Sequence, residues 1–167
     1  MRWLWLLMLV GGCGMEARIK KLSPEEFKAY YALRPFMTDD DKKAYLKLKT
    51  EEQRTQWMKD KGFWDTFYKY DEKERQAIVD GAVRKGWTEE MVYMAWGAPY
   101  DSQKLTGRHA SKSTLLVYRF EKQEDGTVLV WVPGSKTEYK SIDHFRREVY
   151  IDDNTVTDIV EKPGWEG

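Results

Sequence analysis

The feature that most constrains the fold of this 167-residue chain is a change in the spacing of its apolar residues about halfway along it. In the first half, apolar side chains recur at the three- and four-residue spacing of a helix face, as at Phe27, Tyr30 and Tyr31. Each such stretch follows a Ser, Thr or Asp that precedes acidic residues, a pattern typical of helix N-termini. The predicted N-cap residues are Ser23, Thr38, Thr50, Asp71 and Thr88. The first half is therefore expected to fold into short helices.

Two groups of side chains in this helical region allow a functional interpretation as well as a structural one. The acidic clusters, such as Asp39, Asp40 and Asp41, resemble metal or catalytic carboxylate sites, but helix capping accounts for their positions. An aromatic group is compatible with a binding face for sugars or peptides, although such stripes more often belong to a core. This group comprises Trp57, Phe63, Trp64, Phe67 and Tyr68. We interpret the acidic clusters as caps and the aromatic group as core.

In the second half, β-branched and aromatic residues form short runs separated by turn residues, which is typical of strands. Glu124-Asp125-Gly126 separates the first two runs and Asp152-Asp153-Asn154 separates the last two, so we expect two hairpins. The second turn is acidic, but Val156 occupies a position where a calcium-binding loop needs an oxygen ligand, which favours a plain turn. The predicted strands span residues 114–120, 127–132, 145–151 and 155–161.

These patterns predict an α+β fold, in which an N-terminal helical segment is followed by a small antiparallel sheet with a helix packed on it. We expect a helical region over residues 23–86, an α+β region over residues 87–161 and a loose tail over residues 162–167. A chain of this length buries about two-thirds of its unfolded surface, which is enough for a core without disulfides. On the last predicted helix, Trp96 is expected to face the sheet and to be buried.

Residues 1–12 have the features of a bacterial signal peptide. Arg2 gives a positive start, and the apolar run WLWLLMLV follows over residues 3–10. This run is too short to span a bilayer as a helix, which takes about 20 residues. It leads directly to the only cysteine of the chain, Cys13.

The segment Val10-Gly11-Gly12-Cys13 resembles the lipobox of bacterial lipoproteins, in which an aliphatic residue and two small residues precede a cysteine. The resemblance implies cleavage before Cys13, acylation of this residue with fatty acids such as palmitate, and a lipid-anchored tether over residues 13–22. Gly14 rather than Asp follows the cysteine, which by the enterobacterial sorting pattern implies the periplasmic face of the outer membrane, with the inner membrane as the alternative. The competing interpretation is an uncleaved apolar N-terminus with a buried cysteine.

Charge and residue content argue against several classes of function. The chain carries 28 basic and 28 acidic residues, so it lacks the positive charge typical of nucleic-acid-binding proteins. An acylated Cys13 leaves no thiol for catalysis or metal binding, and the two histidines, His109 and His144, fall in predicted loops. The segment Gly107-Arg108-His109-Ala110 is compatible with an anion contact, but a solvated loop is the simpler interpretation. We predict no catalytic, cofactor-binding or metal-binding residues, although a carboxylate-only glycosidase stays open.

The junction between the two halves carries the candidate partner-binding residues. Thr88 caps a short predicted helix, Gly97 fits a left-handed C′ position after it, and Pro99 prevents its continuation. We predict Trp87, Tyr93 and Pro99 as contacts for a partner, because half-exposed rings beside a loop are common at recognition surfaces.

The junction and its flanks resemble two families of bacterial envelope proteins. From about residue 37 to residue 120 the chain is similar to the GWxTD-domain proteins, with a Gly-Trp pair at Gly86-Trp87 and a Gly-x-Pro motif at Gly97-Ala98-Pro99. Glu89-Glu90 stands where that family has Thr-Asp. Over residues 86–161 the chain more loosely resembles the SmpA/OmlA (BamE-type) outer-membrane lipoproteins, in which a helix ending before Gly-x-Pro precedes an antiparallel sheet. Both resemblances imply an α+β envelope lipoprotein, and neither implies catalysis.

Together these features predict a non-catalytic envelope lipoprotein, tethered to the membrane by its N-terminal lipid, that acts as an interaction or assembly module for another envelope protein. The alternative is a lipoprotein that binds, or cleaves, a cell-wall glycan through its aromatic residues. A glycan site needs rings and carboxylates around a concave cleft, whereas a protein-docking surface is flatter. Neither a nucleic acid nor a cofactor is expected as a partner.

Overall fold

The computed structural model describes residues 13–133 and 141–166, and the signal peptide predicted over residues 1–12 lies outside them. Within the described residues, helices come first along the chain and strands follow, which gives the predicted α+β fold. A 3₁₀ turn at Arg34–Phe36 lies between the second and third helices. The helices are α1 (Cys13–Ile19), α2 (Pro24–Leu33), α3 (Asp39–Lys47), α4 (Glu51–Asp60), α5 (Phe63–Tyr68), α6 (Glu72–Val79) and α7 (Glu89–Trp96).

The strands form an antiparallel sheet with the order β1–β2–β4–β5, and β3 pairs with β2. Since β4 pairs along the whole length of β2, β1 and β3 share the other edge of β2, one after the other. The strands are β1 (Asp101–Leu105), β2 (Ser113–Gln123), β3 (Val128–Val130), β4 (Ser141–Asp152) and β5 (Thr155–Pro163).

Five of the described helices, α2, α3, α4, α6 and α7, begin where the sequence predicts, because the polar residue before each one accepts from a free backbone N–H group. The Ser23 hydroxyl accepts from the Glu26 backbone N–H at 3.3 Å, and the Glu26 carboxylate accepts from the Ser23 backbone N–H at 2.8 Å. Thr38 forms the same reciprocal cap with Asp41. Asp41 therefore caps the start of α3, as predicted from the sequence.

The sheet contains more than the sequence predicts. The strand β1 was not expected, because its sequence DSQKL is polar and four of its five residues are exposed. The turn between β4 and β5 is a plain two-residue turn, as predicted, with positive φ angles at Asp153 and Asn154. The prediction that His144 lies in a loop is wrong, since this residue belongs to β4 and pairs with Glu121 of β2.

Helix α7 packs on one face of the sheet, which we call the inner face. Trp96 is 7% exposed and makes edge-to-face contacts with Tyr118 and Phe120 of β2, at centroid distances of 5.1 Å. Its indole N–H donates to the Gly81 carbonyl at 2.9 Å, so the one polar atom of the ring is satisfied. The predicted burial of Trp96 against β2 is confirmed.

The residue that ends α7 differs in detail from the prediction. Gly97 has a positive φ of 79°, but its ψ of −161° lies far from the left-handed helical region. This combination is accessible essentially to glycine alone. Its N–H still donates to the Tyr93 carbonyl at 2.8 Å, and Tyr118 donates to the Gly97 carbonyl at 2.9 Å. The chain thus leaves the helix in an extended direction, toward β1.

Both ends of the described chain contact the rest of the fold. Residues 13–19 of the predicted tether form α1, and Met15, Ile19 and Leu22 pack against the core. At the other end, β5 continues to Pro163, and the Trp165 indole N–H donates to the Phe120 carbonyl at 2.9 Å. The prediction of a loose tail from residue 162 is wrong, because the terminal tryptophan binds back to the sheet.

The aromatic group of the helical region is mostly core, as interpreted from the sequence. Phe67 is 1% exposed, and Trp57, Phe63, Trp64 and Tyr68 are half-buried against the same core. Trp57 lies 5.8 Å from Phe63, and Trp64 stacks on Tyr68 at 3.9 Å between centroids. The first contact joins α4 to α5, and the second lies within α5.

Candidate functional site

The three residues predicted as partner contacts do not form one site. Trp87 is 3% exposed, and its carbonyl accepts from the Val156 N–H of β5 at 2.7 Å. Pro99 precedes Tyr100, whose N–H donates to Val117 of β2 on the edge shared by β1 and β3. Trp87 and Pro99 therefore lie toward opposite edges of the sheet, and the buried ring of Trp87 is not presented to a partner. Tyr93 is half-buried, and burial raises the pKa of its hydroxyl.

The face of the sheet opposite α7, which we call the outer face, carries a different set of side chains. Leu116, Tyr118 and Phe120 of β2 point to the inner face, and alternation along a strand sends the intervening residues to the outer face. These include Arg119, whose guanidinium carbon lies within 6 Å of three aromatic ring centroids. The rings belong to segments that the sequence did not identify as parts of a site.

We call Tyr100, Arg119, Trp131 and Trp165 the arginine–aromatic cluster. The guanidinium carbon of Arg119 lies 3.5 Å from the Tyr100 centroid, 5.7 Å from that of Trp131 and 5.4 Å from that of Trp165. Trp131 lies 5.8 Å from Tyr100 and 5.2 Å from Trp165, so the rings form a continuous arc around the cation. Such contacts stabilise a guanidinium through the negative faces of the rings.

The backbone holds the arc in place at the break between β1 and β3. The Tyr100 N–H donates to the Val117 carbonyl, and the Trp131 N–H donates to the Arg119 carbonyl, both at 2.8 Å. Tyr100 precedes β1 and Trp131 follows β3, so the two rings enter from opposite sides of the same gap beside β2. The positions of both rings therefore depend on strand pairing and not on a flexible loop.

Arg119 is a cation without a counter-ion among the described residues. Neither a salt bridge nor a hydrogen bond joins its side chain to any of them, and its Nε atom is buried without an acceptor. A buried donor left without an acceptor costs about 1–3 kcal/mol. The face of the guanidinium is covered by rings, whereas its N–H groups lack acceptors in the described part of the chain. An acceptor from outside the described residues fits this arrangement.

The same row across the sheet carries two more cations. Arg146 of β4 pairs with Arg119 in register, and Lys162 of β5 pairs with Arg146. One carboxylate, that of Glu148, accepts from Arg146 at 3.2 Å, from Lys162 at 2.8 Å and from the Tyr150 hydroxyl at 3.1 Å. Burial raises the pKa of Glu148, but the hydrogen bonds from Lys162 and Arg146 outweigh it and lower the pKa overall. Glu148 is thus committed to its neighbours and does not neutralise Arg119.

Apolar side chains extend this surface beyond the cluster. Within the cluster, Tyr100 is 46% exposed. Ile142, on the same side of β4 as His144, is 59% exposed. The His144 ring packs on Trp165 at 4.5 Å and its Nε2 lies 2.9 Å from the Ser141 hydroxyl. A cation among rings, flanked by exposed apolar side chains, has the composition of a recognition surface.

The concavities described for this structure lie elsewhere. An enclosed one, of about 50 Å³, lies between α2 and α4 beside Glu26 and Arg54. An open depression of about 700 Å³ runs along the polar side of α6, beside Asp71 and Gln76. The first is far smaller than the roughly 300–1,000 Å³ typical of ligand pockets, and residues of the arginine–aromatic cluster line neither of them.

Among the described residues, no three or more His, Cys, Asp and Glu side chains come together as a metal site. In the same part of the chain, none of the helices has the length and apolarity needed to cross a bilayer.

Sequence reasoning missed the arginine–aromatic cluster for two reasons. Trp165 lies in the predicted loose tail. The gap between β1 and β3 could not be predicted, because the sequence of β1 has no strand-like pattern. A signal was present at Arg119, since it interrupts the apolar run TLLVYRF at a position that alternates with Tyr118 and Phe120. A charged residue there predicts an uncovered outer face.

Comparison with known proteins gives no match: no family model, no curated protein and no solved structure is similar to this chain. The resemblances to the GWxTD-domain proteins and to the SmpA/OmlA (BamE-type) lipoproteins therefore stay predictions.

Proposed function

We propose that the protein is a lipid-anchored bacterial envelope lipoprotein that docks an envelope protein partner through the arginine–aromatic cluster. The observation that carries this proposal is Arg119, a cation that lacks a counter-ion among the described residues and lies within an arc of three rings. Tryptophan, tyrosine and arginine are the residues most enriched among those that dominate protein–protein binding energy. The partner supplies the acceptor for the guanidinium, as a carboxylate or a backbone carbonyl.

The N-terminal sequence supports the anchoring part of the proposal. Cys13 follows an apolar run and two glycines, as in lipoprotein precursors, and the enterobacterial sorting pattern for Gly14 favours the outer membrane. We expect Cys13→Ala to remain an unprocessed precursor that incorporates no labelled palmitate in cells. Equal labelling of the parent and of this variant would contradict acylation at Cys13.

Docking is tested by photo-crosslinking in living cells. We replace Tyr100 by the photoreactive residue p-benzoylphenylalanine, and, as a matched control, we replace Lys47, which is exposed on α3. We expect a discrete protein adduct from position 100 and none from position 47. Adding Arg119→Gln to the first variant should abolish the adduct, and a thermal melt checks that the double variant is folded at the temperature of crosslinking. No adduct at position 100, or an adduct that survives Arg119→Gln, would contradict docking at the cluster.

Glycan binding is the second candidate, because the half-exposed rings of Tyr100 and Trp131 suit the apolar face of a sugar. The outer face favours a protein partner, since the described concavities are lined by other residues. Co-sedimentation with purified peptidoglycan separates the two candidates. Binding that is lost in Trp131→Ala, together with no protein adduct at position 100, would favour the glycan.

A further inference from the structure

The described helix α1 spans Cys13–Ile19, so the residue proposed to carry the lipid lies in the same helix as side chains that pack on the core. Met15, Ile19 and Leu22 pack against the core, and backbone bonds from Lys20 to Glu16 and from Leu22 to Ile19 continue the helical path beyond α1. A helix advances about 1.5 Å per residue, so the segment from Cys13 to Leu22 spans only about 14 Å. An acylated Cys13 therefore brings this corner of the domain to the headgroups of the bilayer.

The exposed side of this segment is basic. Arg18, Lys20 and Lys21 are all exposed, and none of them forms a salt bridge or a side-chain hydrogen bond with a described residue. Glu16 is the only acidic residue between Cys13 and Leu22. The chain as a whole has a formal net charge of zero, so this local excess of positive charge departs from its average.

We propose that Arg18, Lys20 and Lys21 form a docking surface for anionic phospholipid headgroups, which holds the domain on the bilayer in a defined orientation. The location of this surface rests on the proposed acylation of Cys13, whereas its chemistry rests on the three side chains. They lie about 8–12 Å from the anchor along the helical path, which is about one Debye length, so the potential of an anionic surface still reaches them. A lipid anchor combined with a basic patch is the combination that gives stable membrane attachment.

The neighbourhood of the anchor favours a lipid surface over an acidic protein. The three cations lie five to eight residues from Cys13, on a segment packed against the core, so they remain close to the bilayer whenever the lipid is inserted. A basic residue near an anionic surface strengthens attachment about fivefold, so three of them contribute about a hundredfold. The outer face of the sheet carries the separate site proposed for a protein partner.

The test uses the chain from residue 13 onward with Cys13→Ser, since side chains from α1 to β5 contribute to one hydrophobic core. Its co-sedimentation is measured with two kinds of vesicle, anionic ones that contain phosphatidylglycerol and uncharged ones made of phosphatidylcholine alone. The same measurement is made on a triple variant, Arg18→Gln, Lys20→Gln and Lys21→Gln. The matched control changes three exposed lysines of the sheet region that form no described salt bridge, namely Lys104→Gln, Lys112→Gln and Lys122→Gln. Both triple variants lose the same charge, so only the location differs.

We expect the parent and the control variant to bind the anionic vesicles, the first triple variant to bind about a hundredfold more weakly, and raised salt to release the parent. Equal loss in both triple variants, or equal binding to both lipids, would overturn the proposal. Binding of the parent to an acidic protein with no binding to anionic vesicles would also overturn it, in favour of a protein partner.

A second measurement uses the full acylated protein reconstituted into the same two kinds of vesicle. We expect acetylation of Lys20 and Lys21 by an amine-reactive reagent to fall severalfold in anionic vesicles, while that of Lys104 stays constant. Intact-mass analysis reports acylation independently, so a chain without lipid contradicts the proposed anchor and leaves the headgroup measurement on the soluble chain intact. An acylated chain whose Lys20 and Lys21 react equally in both vesicles would overturn the headgroup proposal alone.

Discussion

The ion pair between Glu26 of α2 and Arg54 of α4 holds the helical region together, and breaking it tests its contribution to stability. Both side chains are nearly buried, with exposed fractions of 8% and 10%. Arg54 Nη2 lies 3.1 Å from Glu26 Oε2, and Nη1 donates to the Leu48 carbonyl at 3.0 Å. The Ser23 N–H donates to the same carboxylate at 2.8 Å. The Glu26 carboxylate thus joins the start of α2 to α4, and Arg54 also holds the loop before α4.

We predict that Arg54→Met destabilises the domain much more than a surface change does. The substitution keeps most of the apolar stem but leaves the Glu26 carboxylate buried without its counter-ion. Removing one partner of a buried pair costs about 3–5 kcal/mol, because the remaining charge is desolvated and unpaired. For a domain of this size that loss lowers the melting temperature by about 6–20 °C. Chemical denaturation at pH 7 measures the free energy of unfolding directly.

The pH dependence gives the prediction a second readout. Burial raises the pKa of Glu26, but the hydrogen bonds from Arg54 and Ser23 outweigh it and lower the pKa in the folded state. A carboxyl group with a lowered pKa contributes stability above its unfolded pKa, which is about 4.3, and loses that contribution as the pH falls through the folded value. In Arg54→Met the folded pKa of Glu26 rises relative to the parent. The difference in unfolding free energy between the two proteins should therefore shrink as the pH falls from 7 to 4.

Two controls make the reasoning refutable. Lys42→Met breaks the pair with Asp39, whose side chain is 85% exposed, and should cost no more than about 0.5 kcal/mol. The double variant Arg54→Met with Glu26→Gln removes both charges and should be more stable than Arg54→Met alone. A loss below about 1 kcal/mol in Arg54→Met, or a difference from the parent that is the same at pH 7 and pH 4, would refute the account.

Two further predictions concern α7 and its end. Trp96→Ala should lower the free energy of unfolding by about 3–5 kcal/mol in denaturant melts, because it empties a buried site and removes the hydrogen bond to Gly81. Tyr93→Ala should cost less, since Tyr93 is half-buried, and equal large losses would make Tyr93 a core residue. Gly97→Val should lower the free energy of unfolding by about 1–3 kcal/mol through backbone strain alone, because no atom crowds the position of an added Cβ. Ala98→Val is the neutral control, and a Gly97→Val protein as stable as the parent would contradict the strain.

The local sequence determined the start of five helices and the existence of four strands. Ser23, Thr38 and Thr50 place a side-chain acceptor next to free N–H groups, and that interaction involves residues only three positions apart. Strand runs such as residues 114–120 alternate in a way that only a half-covered sheet satisfies. These signals depend on neighbours in the chain, so they are legible without the fold.

The strand β1, the helix α1 and the docked tail were decided by tertiary structure. β1 is polar and forms because the edge of β2 offers unpaired backbone groups, in register from Asp101 opposite Val117. Trp165 docks because the Phe120 carbonyl, 45 residues earlier in the chain, accepts its N–H. Such partners are distant in sequence, and no local pattern records them.

The arginine–aromatic cluster shows the same division between sequence and fold. From the sequence alone, Arg119 is a charged residue in an apolar strand, and alternation assigns it to the uncovered face. Its three rings come from the segments before β1, after β3 and after β5. Only the pairing of the strands brings these rings together, because the order of the strands in the sheet decides which segments lie next to Arg119. The sequence by itself determined the start of five helices and the existence of four strands, whereas the packing of these elements decided which side chains meet around the cation.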